Sequence, residues 1–470
     1  MDRSSAPSFN FINLSHPDEL KDEETQLRIR RLAMAEVGKR RRKPKTRRER
    51  NEVVLEFRDP VASRIGIDRL GAGELDPFIP YPVDMDESSR SLIANVFRHN
   101  GHHSRLLRGS WWPVGISHAA SFHNVLANSH LFKLREHNGH YASEDDAVSL
   151  FHYTKAVRLV SNDINDPNKN TSDELLGAVA SFMCHQYILG AFAGWENHRH
   201  AMMRMIELRG GIDNVTREEF RITLSWSDLC GAFSQDIPPS IPMPRRWELD
   251  SRSPPSSPRP QSAISLAWKS QLPMRLDWIS IFDDVTQLIS LDRIFSDKEL
   301  EGAMTSGSWM EPTMIRLLNM RPLQQGNEQE NVIEEVCRLG MVLFLSPLWR
   351  HLGALPVWTF QHTQSLLEIL NSNLVEWNDL KPLLLWTVYF AAIETKDPAE
   401  RNQFVFMLAV LMSGMRLKQW EHLMDVVKGV LWVERVFGSS NDALREEVMG
   451  IISGVDSSVG ELPVAGPSNA

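Results

Sequence analysis

The sequence contains little of what a secreted or membrane-bound chain requires. Its 470 residues include only three cysteines, Cys184, Cys230 and Cys337, which lie far apart inside apolar helical patterns. That distribution favours buried, reduced thiols over a disulfide framework, and three distant cysteines do not make a zinc cluster. The N-terminus has no apolar signal segment, and the longest apolar run, residues 382–393, is shorter than the roughly 20 residues that span a bilayer. We therefore expect a soluble, intracellular chain with no membrane partner.

Sequence motifs of the common enzyme classes are also missing. No Gly-x-Ser-x-Gly nucleophile turn, no Gly-x-x-x-x-Gly-Lys phosphate loop and no Gly-x-Gly-x-x-Gly dinucleotide motif occurs. Sixteen histidines are present, but none has the HExxH spacing of a metal site, and no paired Cys-x-x-Cys accompanies them. We therefore predict no catalytic residue, no cofactor and no metal, and we do not expect an enzyme.

The apolar residues that are present recur with the period of α-helices. The stretch from Thr171 to Gly211 predicts two consecutive amphipathic helices, with a capping box at Thr171 and Glu174. Gly210 and Gly211 supply a left-handed stop after the second helix. Strand-like alternation is sustained nowhere, so the sequence predicts an all-α fold.

Similar patterns predict helices along the rest of the chain. In the helix predicted at residues 143–160, Ser143 and Asp146 form a second capping box. Leu150, Thr154 and Val157 line one face of that helix. The remaining helices are predicted at residues 88–107, 118–132, 143–160, 218–233, 278–289, 331–345, 363–374, 382–394, 399–411, 419–437 and 443–452.

Composition divides the chain into a head, a body and a tail. Residues 1–74 form a head that is mostly disordered, with one short amphipathic helix in which Leu20, Leu27 and Met34 are seven residues apart. Residues 75–452 form the helical body, and residues 453–470 form a flexible tail. Residues 236–262 hold eight of the 26 prolines and few periodic apolar residues, which predicts a Pro/Ser-rich linker or long exposed loop inside the body.

The head also carries a dense basic run within a chain whose net charge is −9. Residues 28–50 hold twelve lysines and arginines against two glutamates, so the remaining residues are strongly acidic. Such a run is a nuclear-import signal, an arm that contacts DNA phosphates without sequence preference, or a solvated tail. It does not precede leucine heptads as the basic region of a bZIP protein does. The residues concerned are Lys39, Arg40, Arg41, Arg42, Lys43, Lys45, Arg47 and Arg48.

Two Ser-Pro pairs in the linker are candidate phosphorylation sites. Ser253 and Ser257 each precede a proline and lie close to Arg252 and Arg259. Phosphorylation there would change the local charge. The alternative interpretation is a solvated loop with no further role.

Several short motifs follow one another along the body in the order found in one protein family. The motifs are Leu75 to Val83, Trp195 with His198, Glu207-Leu208-Arg209-Gly210-Gly211, Ser225-Trp226-Ser227-Asp228-Leu229, Cys337-Arg338-Leu339 and Pro382 to Phe390. With these motifs the body resembles the fungal-specific transcription factor domain, a large helical regulatory region like the middle homology region of those factors. The start of the head, from Phe9-Asn10-Phe11-Ile12-Asn13 through His16-Pro17 to the basic run, is similar to a subgroup sometimes labelled "tachykinin family protein". The resemblance implies a nuclear regulatory protein.

The chain departs from that family's usual pattern in one respect. The family's zinc-cluster DNA reader needs six closely spaced cysteines ahead of the helical domain, and this sequence has none before Cys184. No DNA-contacting residue is therefore transferred from the resemblance.

Three hypotheses follow from the sequence. The first is a transcription-regulator-like nuclear protein without its own zinc-cluster reader, whose body mediates dimerisation, binding of a transcription-factor partner or effector sensing, and whose basic run binds an import receptor. The second is an adaptor or small-molecule sensor on the same scaffold that does not bind DNA. The third, an unrecognised enzyme, would require a cluster of titratable residues that the linear sequence does not show.

Overall fold

The computed structural model describes residues 81–97, 108–251, 310–351, 356–373, 375–438 and 441–459. Within these ranges the chain is helical and contains no β-strand, which confirms the predicted all-α fold. The predicted basic run, the helix of the head, the helix at residues 278–289 and both Ser-Pro pairs lie outside the described residues. Their roles stay predictions.

The helices of the first half surround the stretch that was predicted as a helix pair. They are α1 (Glu87–Phe97), α2 (Arg108–Ser117), α3 (Ala119–Asn138), α4 (Ala147–Ile164), α5 (Asp173–Ile188), α6 (Phe192–Leu208), α7 (Glu218–Ser234) and α8 (Arg245–Ser251). Helix α5 packs against α3, α6 and α7, and α3 packs against α4. Helix α8 lies inside the stretch predicted as a linker, and its Trp247 is fully buried.

The second half continues the same core. Its helices are α9 (Glu311–Asn319), α10 (Gln329–His351), α11 (Phe360–Ser372), α12 (Lys381–Glu394), α13 (Pro398–Gly414), α14 (Trp420–Val430), α15 (Glu434–Phe437) and α16 (Asp442–Val459). Helix α12 packs against α10, α13 and α14, and α16 packs against α13. One continuous cluster of buried apolar side chains runs from Val114 on α2 to Val448 on α16 and includes Cys230 and Cys337.

Neither predicted capping box forms at the residues that the sequence pattern indicated. Helix α5 is capped by Ser172 rather than Thr171, because the Ser172 hydroxyl accepts the Leu175 N–H at 3.2 Å. Helix α4 is capped by Asp146 rather than Ser143, and the reciprocal partner in its capping box is Ser149. In each case the residue that caps is the one whose oxygen reaches the free N–H groups of the first turn.

The helix predicted at residues 419–437 is two helices. Helix α14 ends at Val430, and Leu431 is extended, with φ −147° and ψ 131°. The Leu431 carbonyl accepts the indole N–H of Trp386 at 2.9 Å. A buried tryptophan on a neighbouring helix therefore hydrogen-bonds to a backbone carbonyl that would have accepted an N–H group if the helix had continued.

The Trp195 side chain of α6 packs directly on the backbone of α7 at Gly231. A Cβ atom at Gly231 would lie 1.9 Å from the Trp195 ring. The indole N–H of Trp195 donates to the Ser227 carbonyl at 3.2 Å. Only glycine leaves room for this ring. The Trp195 ring therefore fixes the contact between the two helices at this point.

Two buried ion pairs fix the end of α7. Arg338 of α10 donates to both carboxylate oxygens of Asp236 at 2.7 Å, and Arg321 adds a third bond at 3.0 Å. Arg199 of α6 donates to Asp228 of α7 at 2.8 Å. The other Asp228 oxygen accepts the backbone N–H groups of Ser240 and Ile241. The charges therefore hold the chain that leaves α7 against both α6 and α10.

The Arg338–Asp236 pair predicts a large loss of stability when one partner is removed. Arg338→Met leaves buried carboxylates with less compensation, so the free energy of unfolding at pH 7 should fall by about 3–5 kcal/mol. Glu335 also accepts from Arg338, so the charge-free comparison is Asp236→Asn/Glu335→Gln/Arg338→Met, which should lose less. Urea unfolding of the three proteins measures the difference, and equal losses in the single and triple variants would contradict the ionic role of these residues.

The same pair predicts how stability depends on pH. Burial favours the neutral carboxyl, but the hydrogen bonds and charge of Arg338 hold the pKa of Asp236 well below its ordinary value. Its contribution is therefore complete above the unfolded-state pKa of about 3.9 and is lost as pH falls further. Urea unfolding between pH 7 and pH 3 should show a steeper acid loss for the unmodified chain than for Arg338→Met.

Candidate functional site

Helices α2, α3, α5 and α7 line a partly open cavity of about 90 Å³. Its walls are mainly apolar and aromatic, and include Trp111, Val125, Phe132, Cys184 and Trp226. One water needs only about 10–15 Å³, so the cavity is several times larger than a single water requires. The space is large enough for a small organic molecule.

Small residues keep this space open. Gly177 and Ala180 of α5 line the cavity together with Gly115 of α2. A Cβ atom at Gly177 would lie 2.6 Å from Val114, so α2 and α5 are in contact at that point. Beyond the contact, Ala180 and Ser181 do not fill the volume that larger core residues would occupy. The cavity therefore lies beside a tight helix crossing.

Most polar side chains of the lining already have partners. Asn128 bonds to His185 at 2.8 Å, and Tyr187 donates to the Pro356 carbonyl at 2.8 Å. Thr223 donates to the Glu219 carbonyl at 2.7 Å, and Ser181 donates to the Ala178 carbonyl at 2.6 Å. These groups are held by the protein itself.

Two polar groups of the lining have no hydrogen-bond partner among the described residues. They are the hydroxyl of Ser121, which is fully buried, and the indole N–H of Trp226, whose residue is 9% exposed. An unsatisfied buried polar group costs about 1–3 kcal/mol, and native proteins contain few of them. Their place beside a cavity marks where a bound molecule would supply the missing bonds.

No charged side chain lines the cavity. Burial raises the pKa of the Cys184 thiol to about 12, so that this wall is uncharged at neutral pH. On the far side of α3, His123 and His152 are 3.1 Å apart, and burial lowers the pKa of His123 to about 4. Across the part of the chain that the structure describes, no group of three His, Cys, Asp or Glu residues is arranged to hold a metal ion.

Helix α4 carries a second feature, an exposed apolar face. This face consists of Leu150, Val157 and Ile164, which are 39–50% exposed, and Val148 and Phe151 are exposed at other positions around the helix. The side of α4 that packs inward carries Ser149, His152, Ala156 and Val160. Leu150 and Val157, grouped by the sequence pattern, therefore face solvent and do not pack in the core.

The described residues of the sequence motifs that resemble a known family contribute to buried ion pairs, core packing and the cavity wall. Asp228 and Arg338 form the buried ion pairs, Trp195 packs on Gly231, and Trp226 lines the cavity. Sequence reasoning missed Ser121 and the cavity itself. No local signal marks either, since the cavity arises where four separate helices meet.

The cavity predicts opposite effects for two serines on α3. Ser121 has no partner, whereas the equally buried Ser129 donates to the Leu92 carbonyl at 2.6 Å. Ser121→Ala should therefore raise the free energy of unfolding by up to about 1 kcal/mol, and Ser129→Ala should lower it by about 1 kcal/mol. Urea unfolding measures both, and an equal loss in the two variants would show that Ser121 is satisfied in solution.

Comparison with known proteins identifies the family. The family model for the fungal specific transcription factor domain matches residues 93–442, which is most of the chain. Comparisons with curated proteins and with solved structures gave no match. None of the described helices is both long enough and apolar enough to cross a membrane.

Proposed function

Because the chain belongs to the fungal-specific transcription factor domain family, we propose that it is a nuclear transcription regulator whose helical body senses a small effector. The cavity between α2, α3, α5 and α7 carries the proposal, because it combines an apolar wall with two unpartnered polar groups. A molecule that binds there only in the folded state stabilises the packing of four helices. Effector binding would thereby be coupled to the state of the whole body.

In this proposal the basic run of residues 39–48 directs the chain into the nucleus and contacts DNA there. Its lysines and arginines bind an import receptor, and they contact DNA phosphates without reading bases. The acidic body repels DNA, so that sequence preference would come from a partner protein. Ser253 and Ser257, if phosphorylated, would add negative charge to the same chain.

A variant with alanine at the eight basic residues tests this part of the proposal. A fluorescent fusion of the full chain should be nuclear, and the variant should be distributed through the cell. The unmodified chain should bind random-sequence DNA at least tenfold more weakly at about 200 mM than at 50 mM salt, and the variant should not bind. Fluorescence anisotropy measures the binding. Alanine at Lys155, Arg158 and Arg204, which are exposed basic residues of the body, is the control.

Failure of the DNA experiment would favour the alternative function. If the unmodified chain binds no duplex at either salt concentration, it is an adaptor or small-molecule sensor that acts without DNA contact. If the variant with eight alanines remains as nuclear as the unmodified chain, the import role of the basic run is wrong.

Dimerisation is a second candidate role, favoured by the exposed apolar face of α4. Leu150, Val157 and Ile164 alternate with the smaller Thr154 and Ser161 at spacings of four and three residues. That is the spacing of paired helices, in which large side chains of one helix fit between residues of the other. A second copy of α4 presents the same alternation, so the face is suited to pairing with itself.

The dimer role predicts a change in association state. Leu150→Glu/Val157→Glu should weaken self-association at least tenfold, since it places charges in an apolar contact. Phe406→Glu/Val410→Glu, on the exposed side of α13, should leave association unchanged. Analytical ultracentrifugation at micromolar concentration measures both variants, and a monomeric unmodified chain would contradict the role.

A further inference from the structure

We infer that the cavity binds a small, uncharged molecule with one ring or a shorter apolar body and a single hydroxyl or carbonyl oxygen. The inference rests on the proposed function and specifies the effector that the body would sense. It follows from three properties of the cavity, which are its charge, its size and its unpartnered polar atoms.

The charge of the ligand follows from the wall. None of the lining residues is Asp, Glu, Lys or Arg, and the Cys184 thiol is neutral. An ion without a partner in such a site would lose its hydration and gain no compensating charge. Carboxylates, phosphates and amines are therefore excluded as ligands at neutral pH.

The size of the ligand follows from the volume. The cavity of about 90 Å³ is smaller than an engineered apolar cavity of about 150 Å³ in another protein that takes up benzene, but it is partly open to solvent. A ligand of roughly five to seven non-hydrogen atoms therefore suits this space, with one edge of a six-membered ring at the opening. Aromatic rings at Trp111, Phe132 and Trp226 favour a flat ring, since rings pack edge to face or offset with such neighbours.

The polar group of the ligand follows from the two groups that lack partners. The Trp226 indole only donates, so it requires an acceptor oxygen, whereas the Ser121 hydroxyl both donates and accepts. The other hydrogen-bonding side chains described above bond to the protein. One hydroxyl or carbonyl oxygen on a largely apolar ligand supplies an acceptor to the Trp226 indole or the Ser121 hydroxyl, whereas a ligand with several polar groups would leave some of them unsatisfied.

Phenol is the probe that combines these properties, and it is uncharged at pH 7. Isothermal titration calorimetry on the full chain at pH 7 should show saturable binding of phenol, weaker binding of benzene, and none of benzoate or benzylamine, which are ionised. Ser121→Ala and Trp226→Phe should each weaken phenol binding about 2- to 12-fold and leave benzene binding unchanged or stronger. The preference for phenol over benzene should therefore shrink in both variants.

A cavity-filling variant identifies the place of binding. Ala180→Leu puts extra side-chain atoms into the space and should abolish binding of both phenol and benzene. Gln403→Leu, at an exposed position of α13, is the matched control and should bind as the unmodified chain does. Thermal unfolding without ligand shows that each variant is folded.

Three outcomes would overturn the inference. They are equal binding of phenol and benzoate, an unchanged preference for phenol over benzene in both polar variants, and undiminished binding by a folded Ala180→Leu protein. If phenol does not bind but a chemically diverse library yields a ligand that Ala180→Leu excludes, the ligand class is wrong and effector sensing stands. If no compound binds the cavity, effector sensing fails as well, whereas the nuclear role is tested separately by the basic-run variant.

Discussion

The fold depends on the compensation of one buried charge, that of Arg338. Arg338 is fully buried in the middle of α10, where an unpaired guanidinium could not remain, and Asp236 neutralises it from 102 positions earlier in the sequence. Asp236 holds a left-handed conformation, φ 51°, directly after α7, which turns the chain so that both carboxylate oxygens face the arginine. Burial lowers the pKa of the adjacent His362 to about 4, so this ring adds no positive charge at neutral pH. Glu335 also accepts from Arg338 and Arg321 also donates to Asp236, so the apolar surfaces of α7, α10 and α11 close around two arginines and two carboxylates whose charges cancel.

Local patterns account for most of what could be predicted of the fold. Long segments such as α5, α7 and α12 have apolar residues at helical spacing, and their packing in the core preserves the helix that this spacing predicts. Boundaries are less well predicted, because Ser172 competes with Thr171 and Asp146 with Ser143 for the same N–H groups. Where a distant group intervenes, as the Trp386 indole does at Leu431, no local pattern shows that the helix ends.

The candidate sites were harder to predict for a different physical reason. Periodicity shows that Leu150 and Val157 share a face of α4, but it does not show which face meets the rest of the protein. Helix α4 turns its smaller and polar side to α3, where His152 lies beside His123, and this leaves the larger apolar residues outside. The cavity is a property of four helices together, so that Ser121 has no more signal in the sequence than the satisfied Ser129.

The buried cysteines have a practical consequence for following the folded state. Cys230 and Cys337 are 3% and 1% exposed, and burial raises the pKa of both thiols well above the ordinary value. Neither sulfur is then a nucleophile in the native protein, and a thiol reagent reaches it only when the helices around it separate. The rate of alkylation therefore measures how often the core opens transiently, at Cys230 on α7 and at Cys337 on α10. The chain thus carries its own pair of internal probes for whether the two helices joined by Arg338 and Asp236 open together or one at a time.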